Sequence, residues 1–237
     1  MMYLSQIKSL VTVRYRKSTF IVITLMYVVG TLGLIFPYTQ PYFKLASAFN
    51  LWVSLILLLL FHQDYSKSFI GTAISIFLVG FFIEVIGVQT GVIFGKYWYG
   101  QTLGTKLFEV PLVIGANWLL LIYCSSMFTL KFCEILKKKV AKNSLFNNDF
   151  LKAIFASSLM VFLDYLIEPV AIHLDFWHWQ NEQIPLQNFQ AWFLIAFLLN
   201  YIFLKGKYVK SNPLAVLLFF LQFAFFISIN VFNRLFQ

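Results

Sequence analysis

Acidic side chains are scarce in this 237-residue chain, with 9 Asp and Glu against 18 Lys and Arg. Histidine is scarcer still, limited to His62, His173 and His178. A membrane di-iron hydroxylase needs a large histidine set, so that chemistry is excluded. The two cysteines, Cys124 and Cys133, fall nine apart on one predicted helix. They form no disulfide framework, no metal pattern and no plausible haem-thiolate setting. The last apolar run, "PLAVLLFFLQFAFFISINVF", holds no lysine, which excludes a retinal Schiff base there. There is no P-loop, dinucleotide fingerprint or G-x-S-x-G elbow. Nor is there a long-period repeat, a low-complexity tract or a sign of a second domain. The chemistry left is acid–base work on an apolar substrate, with no metal or redox cofactor expected.

Apolar residues, in contrast, are abundant. The chain is 60% hydrophobic and 20% aromatic, where soluble domains run about 45–50% apolar. An integral membrane protein follows: an all-α polytopic bundle, one transmembrane domain over 1–237. About 20 apolar residues cross the hydrocarbon core, and seven segments qualify: 19–37, 43–62, 69–94, 110–130, 150–174, 189–204 and 213–233. Pro37 and Pro41 favour a break between the first two. The basic start (Arg14, Arg16, Lys17) before an apolar stretch resembles a signal peptide, but the stretch is too long and no A-x-A site follows. It is read as the first span.

Charge sets the orientation. With the N-terminus cytoplasmic, the inner segments carry 14 Lys and Arg and the outer ones only Lys44, Lys96, Lys106 and Arg234. This bias fits the positive-inside rule and accounts for most of the net +9 charge without a nucleic-acid partner. The run "KKKVAK" is read as an inner-surface contact to anionic headgroups.

Against this background three carboxyls stand out. Glu84 lies inside the third span, and Asp164 and Glu168 lie inside the fifth. A carboxylate at membrane depth costs about 2.5–3.5 kcal/mol on insertion scales, so each needs a partner, a proton or a cavity. Gly80, Glu84, Gly87, Gly91 and Gly95 follow at spacings of four, three, four and four, which predicts one helix face where small residues let helices approach. Asp164 and Glu168 are four apart and share a face, with Asp175 near the same stripe at the outer boundary. Pro169 cannot donate to the carbonyl of Tyr165, which predicts a kink beside Glu168. Close carboxylates in a low dielectric cannot all ionise, so one of the set should hold a proton at neutral pH. A proton held in an apolar pocket is a general acid. The competing reading is structural: glycines that only pack and carboxyls that only hydrogen-bond.

All three carboxyls fall in the outer half of their spans, beneath two aromatic loops, "GKYWYGQTLGTKLFE" and "DFWHWQNEQIPLQN". These loops are either an interfacial aromatic belt or a lid over an apolar ligand. Tyr97, Trp98, Tyr99, Trp177 and Trp179 are the candidate binding residues they carry. Asn117, Trp118, Asn188 and Trp192 join them from the outer ends of the fourth and sixth spans.

Two blocks then carry a resemblance. "EVIGVQTGVIFGKYWYGQTLGTKLFEVPLVIGANW" resembles an E-x-x-G-x-x-T-G-x-x-F-G-x-Y-x-Y…L-G…V-P-L…W signature. "DYLIEPVAIHLDFWHWQNEQIPLQNFQAWF" resembles D-x-x-x-[DE]-P-V-A…W-x-W…P-x-x-N-[FY]-x-x-W-F. Both are similar to the carotenoid hydratase family that includes bisanhydrobacterioruberin hydratase and the bacterial carotenoid 1′-hydratases. The likeness spans roughly 84–193. The chain departs from relatives with a Gly-rich turn before the second-block proline, where it has "QNEQIP", and this bears on the shape of the outer lid. The resemblance implies hydration of the terminal C=C of an acyclic carotenoid in a bacterial cytoplasmic membrane. It also implies water, the bilayer and other carotenoid-pathway enzymes as partners. The site residues suit it: a protonated carboxyl among Glu84, Asp164 and Glu168 would donate, aromatic faces would stabilise the tertiary cation, and a second carboxylate, or Asp175, would take a proton from the attacking water. A dry site protects such a cation, and a lipid-dissolved substrate would arrive laterally. A carotenoid cyclase, a proton-coupled transporter and a non-enzymatic lipid-binding protein stay open as alternatives.

Overall fold

The computed structural model describes residues 2–139 and 147–236. Lys142, in the basic run "KKKVAK", lies outside the described residues. Among the described residues seven α-helices follow in chain order: α1 (Met2–Ile35), α2 (Gln40–Leu60), α3 (Lys67–Thr90), α4 (Val113–Lys139), α5 (Asp149–His173), α6 (Leu186–Lys205) and α7 (Pro213–Phe236). Each contains a stretch long and apolar enough to cross a membrane. The protein is a helical polytopic membrane protein.

Local chemistry sets the helix ends. A turn over 36–39 separates α1 from α2, and Pro41 sits in the first turn of α2, where a missing N–H costs nothing. Ser66 caps α3 by accepting from the Phe69 N–H at 3.4 Å, and Asn148 caps α5 by accepting from Phe150 at 2.9 Å. Helix α3 stops at Gly91, whose φ of +67° is left-handed. The glycine stripe is therefore shorter than its spacing predicts. Gly80, Glu84 and Gly87 share a helical face, whereas Gly91 is a cap and Gly95 (φ +105°) belongs to the following turn. Pro169 lies inside an uninterrupted α5, and in that turn Asn230 of α7 donates to the carbonyl of Leu166 at 2.7 Å.

Helix α4 is the hub. It packs against α2, α3, α5, α6 and α7, and 61% of its apolar window is buried, more than in any other span. Large apolar side chains such as Ile21, Leu25, Ile74 and Leu198 instead point outward from the bundle, as lipid-facing residues do. Cys124 and Cys133 are buried, free thiols on α4. Midway along the bundle, Asn200 of α6 accepts from Ser126 at 2.7 Å and Ser125 at 3.1 Å on α4, and donates to Ser157 of α5 at 3.2 Å. This one amide ties three helices together.

Two short ribbons close one end. Strand β1 (Tyr97–Tyr99) pairs antiparallel with β4 (Trp177–Trp179), and β2 (Lys106–Leu107) pairs with β3 (Val110–Pro111). In the first ribbon Tyr97 faces Trp179, Trp98 faces His178 and Tyr99 faces Trp177. Main-chain bonds from Gly100 to Phe176 and from Gln180 to Lys96, both 2.9 Å, extend the pairing at its two ends.

Candidate functional site

Side chains alternate faces along a strand, and this alternation builds the site. Tyr97, Tyr99 and Trp179 are buried, whereas Trp98 is 52% exposed and stacks on His178 at 5.9 Å. The inward rings hang from the ribbon toward α3 and α5. Tyr97 and Trp179 lie 5.1 Å apart, centroid to centroid.

The β1 rings meet Glu84. Tyr97 Oη donates to Glu84 Oε2 at 2.5 Å and Tyr99 Oη donates to the same oxygen at 2.9 Å. Trp118 Nε1 of α4 donates to Oε1 at 3.0 Å. The flanking glycines make this possible. A Cβ on Gly80 would lie 2.4 Å from Trp118 Cβ, and one on Gly87 would lie 2.6 Å from the Phe94 ring and 3.1 Å from Tyr97 Oη. Trp118 and the ribbon thus reach the carboxyl because one turn on either side of it is bare. Gly80→Ala should destabilise the protein by about 1–3 kcal/mol, since the clash falls on a Cβ and not on a flexible tip. Thermal or denaturant unfolding in detergent would read this, and an unchanged midpoint would refute the packing role.

The β4 rings meet Glu168. Trp179 Nε1 donates to Glu168 Oε2 at 2.7 Å, and Trp177 Nε1 donates to the same oxygen at 3.1 Å. Asn188 Nδ2, at the start of α6, donates to Glu168 Oε1 at 3.2 Å and to Asp164 Oδ2 at 3.0 Å. Asp164 Oδ1 is buried and has no hydrogen-bond partner among the described residues. Trp192 stacks on Trp118 at 4.3 Å and joins the two halves from below. Glu84, Asp164 and Glu168 are each 3% exposed or less. Among the described residues none of the three has a cationic partner, because the ion pairs all involve Asp149, Glu134 and Asp175.

Between the two carboxyl clusters lies a cavity of about 20 Å³, lined by Glu84, Glu168, Tyr97, Tyr99, Asn117 and the indoles of both clusters, among others. About 10–15 Å³ is enough to admit one water. Asn117 sits on the cavity wall, and among the described residues its side chain has no hydrogen-bond partner.

Three residues named from the sequence are placed elsewhere. Asp164 stands behind Glu168 and does not line the cavity. Trp98 points away from it. Asp175 lies in the turn before β4: its carboxylate accepts from His178 at 2.7 Å, from the Gln101 N–H at 3.1 Å and from Thr102 at 3.4 Å. Burial pushes the Asp175 carboxyl up, but the bonds from His178, Gln101 and Thr102 outweigh it and hold the group below the usual carboxylate range. A carboxyl depressed in the folded state stabilises it above its unfolded pKa of about 3.9, and that contribution is lost as pH falls through the lower folded value. The latch between the two loops should therefore be complete at neutral pH and open only in strong acid. Asp175→Asn should speed hydrogen exchange at the Gln101 amide at pH 7, and unaltered exchange would show that the ribbon closes without it. Phe94 and Ile114, which complete the cavity wall, carry no polar signal in the sequence. The triplets "YWY" and "WHW" divide into inward and outward rings only through the strand pairing of β1 with β4.

A family model described as "Carotenoid biosynthesis protein" matches residues 41–236, which contain both clusters and the ribbon. The chain belongs to this family. The bisanhydrobacterioruberin hydratase of Haloarcula japonica is 25% identical to this carotenoid biosynthesis protein over 168 residues, covering 65% of this chain and 50% of that protein. The chain thus spans about half the length of that relative. No solved structure matches it.

Proposed function

We propose that this carotenoid biosynthesis protein adds water across the terminal C=C of an acyclic carotenoid end group, in a bacterial cytoplasmic membrane with its N-terminus inside. The reading is carried by the water-sized cavity between two buried carboxyl clusters, walled otherwise by aromatic rings, Ile114 and the amides of Asn117 and Asn188. The hydratase name of the Haloarcula relative agrees with it.

Asp164 and Glu168 both bind the same Asn188 nitrogen, and two carboxylates so close do not both ionise. The pair holds one proton, and Glu168 presents it to the cavity. The alkene π pair takes that proton at the less substituted carbon, forming the C–H bond and leaving a tertiary cation. The Trp177 and Trp179 faces stabilise the cation. Water oriented by Asn117 attacks it, and Glu84 takes the proton that the water loses. Three neutral donors hold Glu84 as that acceptor. Each turnover moves one proton from Glu168 to Glu84, and proton exchange between the clusters restores the start. No charge is left over and no electrons are transferred.

Expression in a bacterium engineered to make lycopene tests this, with extracted pigments separated by chromatography and weighed. A more polar pigment heavier by one water is expected. A rearranged pigment of unchanged mass would replace hydration by cyclisation, and an unaltered pigment pool with the protein in the membrane would sink the proposal for that end group.

A further inference from the structure

A second, larger cavity adjoins the first. It has a volume of about 280 Å³ and lies among α1, α2, α4, α5 and α7. The two cavities share three wall residues, Ile114, Asn117 and Trp177. Its walls are almost wholly apolar, and Gln222 Oε1, on α7, is a buried acceptor with no hydrogen-bond partner among the described residues. On its outer rim Val29 of α1 and Ala46 and Phe49 of α2 are exposed on the surface of the bundle that faces lipid.

We infer that this chamber seats the apolar, unsaturated isoprenoid end of the substrate, which slides in from the bilayer between α1 and α2 until its terminal double bond reaches Asn117 and Trp177. The inference rests on the proposed hydration for the identity of the chain, and on the shared wall for its direction. Size sets how much is swallowed. An apolar cavity of roughly 150 Å³ takes up benzene, so this one holds about ten carbons, or two isoprene units. A carotenoid is far longer, so its remainder passes out over Ala46 and Phe49 into the lipid. The protein then reads one end group and is indifferent to the other. Residues of α1 form part of this wall although the family match begins only at residue 41.

Gly30 offers the plug. A Cβ there would meet its nearest neighbours, Phe225 and Asn50, at ordinary distances of 3.8 and 4.0 Å, so a side chain can be attached without prying the helices apart, and a phenyl ring would extend into the chamber. Ala46→Phe, at the exposed rim, blocks the same path with less demand on packing. Leu198→Phe, on the lipid-facing side of α6, serves as control. Each full-length protein is purified in detergent from the pigment-producing host. Polyene retained per chain is read from the visible spectrum and co-purified phospholipid by mass. Wild type and Leu198→Phe should retain pigment, and Gly30→Phe and Ala46→Phe should lose at least tenfold. Undiminished pigment in a folded Gly30→Phe or Ala46→Phe protein overturns the inference. So does a wild type that carries no pigment but carries phospholipid that either plug expels, since the occupant is then an acyl chain. Pigment retention lost on plugging, with no hydrated product from wild type, upholds the chamber while removing the hydration reading.

Discussion

Glu168→Gln is expected to abolish the hydrated pigment, lowering the rate by about 10²–10⁴, the usual contribution of a positioned proton donor, while the protein accumulates normally in the membrane. The amide keeps the shape and can still accept from Trp177 and Trp179 through its oxygen, so the ribbon should close as before. It cannot give up a proton. Glu84→Gln should fail as severely for the converse reason: it cannot take the proton from water. It should also weaken the packing of Tyr97 and Tyr99, whose hydroxyls both donate to Glu84 Oε2. Asp164→Asn separates proton sharing from shape, because Asp164 does not line the cavity. Under the scheme proposed it should slow turnover and shift the pH profile without changing which product forms. Full activity in all three variants, with matched membrane levels, would leave the carboxyls as structural hydrogen-bonding groups.

A large effect on stability should come from Asn200→Leu. The substitution keeps the branched heavy-atom shape of the side chain but removes every polar contact of the amide, leaving Ser126, Ser125 and Ser157 to find partners inside the bundle. Polar contacts between membrane helices average about 0.6 kcal/mol with a ceiling near 1.7, and several are lost at once. The unfolding free energy in detergent should fall by about 2 kcal/mol. Because Asn200 belongs to neither cavity, pigment retention per folded chain should stay at the wild-type level. A Leu variant as stable as wild type would mean that the serines bond as well to their own helices.

The two outcomes differ because the site and the scaffold are different polar networks in one bundle, and the sequence exposes them unequally. A charged residue in an apolar run is conspicuous, whereas Asn200 between "FLIAFLL" and "YIFLKG" is an ordinary polar residue until Ser125, Ser126 and Ser157 are seen around it.

Seven apolar segments follow from the chain itself, since the length and hydropathy needed to cross a bilayer are local properties. So do the break at Pro37 and Pro41, the i, i+4 pairing of Asp164 with Glu168, and the bare turns at Gly80 and Gly87 on either side of Glu84. What only the tertiary structure decided are matters of partners far apart in the chain. Tyr97 pairs with Trp179 across 82 residues, and this pairing turns Tyr97, Tyr99 and Trp179 inward and Trp98 outward; without it the five loop aromatics look alike. The same ribbon draws Asp175 into a latch with Gln101 and Thr102, away from the cavity its helical stripe pointed to. Gly91 left the glycine face because it caps the helix in a left-handed conformation, which a spacing rule does not see. The chamber beside Asn117 is built from five helices at once. A cavity is a gap between surfaces, so no single segment encodes it.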